Sequence, residues 1–137
     1  MYTLERVILI DDDQVNSFVC ESIIRSISFA KEVLVFEQAE EAHNYLSHVA
    51  STRPDEFPEL IFLDINMPGM DGWQFIQEYK KYPVAAIERC NLFVLSSAVD
   101  RKDILSAKSH KEVKDFISKP LSPEILEFIR EEFLRPN

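Results

Sequence analysis

Four short, continuous apolar runs punctuate the chain, at residues 7–10, 33–36, 60–63 and 92–95. Runs without alternation fit strands covered on both faces, the pattern of a parallel sheet. A weaker run at residues 116–117 predicts a short edge strand. The gaps between runs carry helical spacing. Val15, Phe18, Val19, Ile23 and Ile27 mark a first helix, and Ala42, Tyr45, Leu46 and Val49 a second. Phe75, Ile76 and Tyr79 mark a third, closed by Pro83. A fourth rests only on Ile104, Leu105 and Ala107, and a fifth on Ile125, Leu126, Ile129 and Phe133. Ser122-Pro123 supplies an N-cap and first-turn proline for the fifth. Strand then helix, five times over, predicts a doubly wound α/β sandwich with right-handed crossovers.

Composition narrows the picture. A length of 137 residues, 46% of them hydrophobic, suits one domain with its own core. Residues 1–137 are therefore expected to form one unit, with no output domain after the last helix. Fifteen Lys and Arg against 24 Asp and Glu leave a formal charge of −9. With no basic stripe, that balance argues against direct nucleic-acid binding and against docking on anionic lipid. The first ten residues fit neither a signal peptide nor a membrane span. Two cysteines, Cys20 and Cys90, make no disulfide framework and suit a reducing cytoplasm. Cys20 reads as core.

The polar residues that follow the runs are the informative ones, because ligands gather at the carboxyl ends of parallel strands. Strand one ends in Asp11-Asp12-Asp13, strand three in Asp64, strand four in Ser96-Ser97 and strand five in Ser118-Lys119-Pro120. Clustered carboxylates raise one another's pKa or recruit a cation, and oxygen-only ligands select a hard ion such as Mg²⁺. One of Asp12 and Asp13 can instead cap the first helix, and Asp71 the third. A carboxylate at Asp64 can attack phosphorus to form an acyl phosphate, with Lys119 adding a point charge and Ser97 a hydrogen bond. Ser96 and Ser97 are adjacent, so only one easily faces such a site. An EF-hand beginning at Asp64 fails, since Phe75 stands where its glutamate belongs. A phosphatase with a second acid two residues on fails at Asn66. His43 and His48, five residues apart on one helix, do not share a face.

Together these residues resemble the receiver domain of two-component response regulators, over about residues 7–134. The resemblance implies the flavodoxin-like fold with sheet order 2-1-3-4-5. It implies that Asp64 is the phosphoacceptor and that Asp11 and Asp12 bind Mg²⁺ with Asp64. By the same matching, Asn66 lends its main-chain carbonyl to the metal and Lys119 is the family's lysine, with a cis bond before Pro120. Ser97 matches the switch hydroxyl and Phe116 the switch aromatic. The implied partners are a sensor histidine kinase or histidine phosphotransfer protein, a downstream protein target, or a second copy in a phosphorylation-dependent dimer. The implied chemistry is limited to the chain's own phosphorylation and dephosphorylation. The alternatives are a pseudo-receiver that only binds partners and the receiver piece of a hybrid kinase. The chain departs from the family in having no glycine at residues 110–114, Ser for Thr at the switch, and an aromatic without a hydroxyl.

Overall fold

A computed structural model describes residues 3–97 and 100–134. Its strands are β1 (Leu4–Ile10), β2 (Ala30–Phe36), β3 (Leu60–Leu63), β4 (Asn91–Ser96) and β5 (Val113–Ser118). Its helices are α1 (Gln14–Ser26), α2 (Ala39–Thr52), α3 (Gly72–Tyr79), α4 (Val84–Arg89), α5 (Arg101–Ser109) and α6 (Pro123–Phe133). A 3-10 turn, Pro54–Glu56, follows α2. The strands form one parallel sheet of order β2-β1-β3-β4-β5, the expected flavodoxin-like arrangement.

The apolar runs are continuous because each central strand feeds two cores. Ile8, Ile10, Ile61, Leu63, Leu92 and Val94 pack with Leu46 of α2 and with Phe75, Ile76 and Tyr79 of α3. Their neighbours Leu9, Leu60, Phe62, Phe93 and Leu95 point the other way, to Cys20 and Ile24 of α1 and to Leu126 and Ile129 of α6. All four residues of β3 are fully buried. At roughly 1.5–3 kcal/mol for each large apolar side chain, this central strand is among the costliest to perturb.

Three sequence expectations need correction. The α1 residues Val15, Phe18 and Val19 do not face the core: they are 75%, 72% and 40% exposed, while Ser17, Cys20 and Ile24 are buried. Pro83 does not simply end the third helix. It stands at the N-cap of the additional helix α4, whose Ala86 is buried. The last strand is longer than two residues, because its exposed Lys114 and Asp115 interrupt the apolar signal at the sheet edge. Among the described residues, no helix is long and apolar enough to cross a membrane.

Candidate functional site

The strand register builds the site. One row crosses the sheet through Phe36, Ile10, Leu63, Val94 and Phe116. Asp11 donates its amide to the Phe36 carbonyl at 3.0 Å, and Asp64 donates its own to Ile10 at 2.9 Å. Both acids thus extend the ladder by one step, side by side at its carboxyl edge. The three consecutive acids then divide their work. Asp13 caps α1, its Oδ1 accepting from the Asn16 amide at 3.0 Å. Asp11 is fully buried and Asp12 exposed. The loop after Asp64 turns back tightly: Gly72 donates its amide to the Ile65 carbonyl at 3.2 Å. A Cβ at Gly72 would stand 2.5 Å from the Ile65 Cα, so only glycine fits there. A capping box between Asp71 and Gln74 then starts α3.

Asp11, Asp12 and Asp64 each offer a carboxylate oxygen within 4.8 Å of the others. Lys119 Nζ lies 2.8 Å from Asp11 Oδ2 and 3.4 Å from Asp64 Oδ2, with its side chain 10% exposed. Asp11 is further satisfied by the Asp13 amide at 2.9 Å and the Asn16 side-chain amide at 2.7 Å. Asp64 accepts from the Asn66 amide at 3.1 Å. Burial pushes the Asp64 carboxyl up to about 6. The Asn66 amide and Lys119 oppose that rise, and Asp11 adds to it. Burial works against the charge of Lys119, but its two carboxylate partners outweigh burial and raise its pKa. One lysine cannot neutralise three acids. An all-oxygen cluster left with excess negative charge is compatible with a hard divalent cation.

The candidates from the sequence divide as follows. Asp11, Asp12, Asp64, Asn66 and Lys119 come together at one rim, and the Lys119–Pro120 bond is cis. Phe116 lies one strand further out, half-buried at the sheet edge. Ser97, the expected switch hydroxyl, is exposed just past the end of β4, and its neighbour Ser96 is buried. Ser96 is fully buried, its Oγ accepts from the Asn66 side chain at 3.3 Å, and its carbonyl accepts from the Lys119 amide at 2.9 Å. β4 ends at Ser96, which follows Leu92 and Val94 on the α2–α3 face; alternation carried one residue further puts Ser97 on the face of Leu9, Phe62 and Leu95, the one that Asp11 and Asp64 continue. Asn16 was missed altogether. Its position three residues after a capping aspartate was the available signal.

Three comparisons bear on this geometry. A crystal structure of a two-component response regulator from Cytophaga hutchinsonii is 29% identical, with TM-score 0.87, covering 97% of this chain and 98% of that one. A response regulator receiver protein from Dyadobacter fermentans is 27% identical, with TM-score 0.81, covering 93% and 96%. The response regulator Rcp1 of Synechocystis sp. is 22% identical over 101 residues, 74% of this chain and 67% of Rcp1. Its Mn(2+)-bound form superposes with TM-score 0.75 at 19% identity, over 97% of this chain and 96% of that one. Residues 7–129 match the family model of the response regulator receiver domain, and the chain, with its acid-rimmed parallel sheet, belongs to that family.

Proposed function

We propose that the chain is a cytoplasmic phosphoacceptor, taking a phosphoryl group onto Asp64 from a phosphohistidine on a sensor kinase or phosphotransfer protein. The observation that carries this reading is the convergence of Asp11, Asp12, Asp64 and Lys119 on one rim, from three separate strand ends. In the reaction, an Asp64 oxygen attacks phosphorus. The P–O bond forms as the P–N bond to imidazole breaks, and the departing nitrogen takes a proton from water. Asp11, Asp12 and Asp64, with the Asn66 main-chain carbonyl, would hold Mg²⁺. The Mn(2+)-bound form of Rcp1 supports a divalent ion here. When bound, such an ion neutralises phosphoryl oxygens. Lys119 supplies a second positive charge, already drawn to within 3.4 Å of Asp64. The chemistry is limited to the chain's own phosphorylation and dephosphorylation.

The response follows from Ser97 and from Phe116. The Ser97 hydroxyl, drawn to the phosphoryl group, would shift the end of β4. Phe116 has room to respond, since it lines both a cavity of about 280 Å³ against α6 and one of about 180 Å³ against α5. The face made by α5, β5 and α6 then changes and meets a protein target or a second copy. The exposed Val15, Phe18 and Val19 begin two residues after Asp13, beside the acids. Their apolar stripe suits a helix of the phosphoryl donor. Incubation with Mg²⁺ and acetyl phosphate should add one phosphoryl group by intact mass, and Asp64→Asn should abolish it. An unchanged wild-type mass, with partner binding indifferent to Asp64→Ala, would instead mark a module that only binds partners.

A further inference from the structure

α5 is the most lightly anchored of the longer helices: among its residues only Ala107 is buried, and Leu105 is 59% exposed. Its carboxyl end has one conspicuous attachment. His110, the C-cap, stacks on Trp73 in the first turn of α3, with ring centroids 5.9 Å apart and planes 27° apart. Trp73 directly follows Gly72, which is wedged against Ile65 beside Asp64. The backbone of His110 is also tied, its N–H donating to Ala107 at 3.2 Å and its carbonyl accepting from Val113 at 3.0 Å. The imidazole Nδ1, however, is buried without a hydrogen-bond partner among the described residues.

We propose that the Trp73–His110 stack is a proton-sensitive clasp on α5, closed while the imidazole is neutral and opened when it is protonated. An imidazolium carries a proton on both ring nitrogens, and the stacked position gives Nδ1 no acceptor. A buried, unpaired charged donor costs more than the attraction of a cation for the indole face returns. The charged neighbours are Lys80 at the end of α3 and Glu112 in the turn before β5. Burial and Lys80 both disfavour the charged ring, and Glu112 offsets them in part. The clasp is therefore shut at neutral pH and above, and weakens only as pH falls below the ordinary imidazole range. Opening frees the carboxyl end of α5 without touching the acid cluster, so the device acts whether or not Asp64 accepts a phosphoryl group.

Trp73 is the chain's single tryptophan and reports on its own environment. In the whole chain, its emission should shift to the red, and iodide quenching should rise, as pH falls from 8 to 5. Protection of the amides at residues 104–110 against hydrogen exchange should fall over the same range. His110→Phe keeps an aromatic ring but cannot titrate, and should lose both transitions. His110→Gln should give weak protection at every pH, which covers a failure of the Phe variant to fold. His43→Gln should change neither readout. Transitions of wild-type size in both His110 variants, or a fluorescence change with protection unaltered, would overturn the proposal.

Discussion

The residue that decides the chemistry is Asp64, and its environment predicts an unusual pH dependence. With its pKa raised to about 6, the carboxyl binds its proton more tightly in the folded chain than in the unfolded one. Its contribution to stability is therefore full below the unfolded pKa of about 4 and is lost as pH rises through 6. In metal-free protein, the urea midpoint of the wild type should fall relative to that of Asp64→Asn between about pH 4 and 7. The gap should reach the order of 2–3 kcal/mol, since each pKa unit carries about 1.4. Mg²⁺ at pH 7 should then raise the wild type and leave Asp64→Asn unmoved. A constant difference between the two across this range would mean that Asp64 ionises without hindrance. The two serines separate as cleanly. After acetyl phosphate treatment, Ser97→Ala should take up the phosphoryl group while losing the accompanying change in hydrogen exchange of β5. Ser96→Ala should keep that change.

At the scale of elements, the loop from β3 into α3 carries the greatest constraint. Gly72→Ala places a methyl 2.5 Å from the Ile65 Cα, a backbone atom that cannot give way. Denaturation should show a loss of about 1–3 kcal/mol, and acetyl phosphate should label the variant more slowly because Asp64 adjoins Ile65. Gly69→Ala is the control. Gly69 has φ of 75° and nothing within 4 Å of a Cβ, so the cost should be about 1–2 kcal/mol of backbone strain with the labelling rate unchanged. Which elements could be read from the sequence follows from what each one buries. β1, β3 and β4 were plain because every residue of the run feeds one core or the other. β5 showed only Phe116 and Ile117, since an edge strand alternates with exposed Lys114 and Asp115. α4 was hidden because a proline that ends one helix can equally begin the next. The α1 stripe was right at its carboxyl end, where Ile23 and Ile27 pack against the core as expected, and wrong at its start, where Ser17 and Cys20 take the core and the larger Val15 and Phe18 face water.

For the whole molecule, the exposed start of α1 has a consequence for encounters with other proteins. Replacing Val15 and Phe18 together by serine removes exposed apolar surface, so stability should change by no more than about 0.5 kcal/mol per site. Phosphotransfer from a protein donor should slow by roughly tenfold, the loss of about one buried aromatic anchor, while labelling by acetyl phosphate stays at the wild-type rate. Equal slowing with both donors would place the defect in the pocket instead of the docking face. Most of the rim could be anticipated, because the acids and the lysine each follow a strand and the fold gathers strand ends. The choice between Ser96 and Ser97 was harder, because it turns on which face each takes where β4 stops, and a one-residue error reverses a side chain. The amide of Lys119 is fastened to the carbonyl of Ser96. The cation's backbone and the end of β4 are therefore neighbouring stitches in one seam, and a tug on either transmits to both.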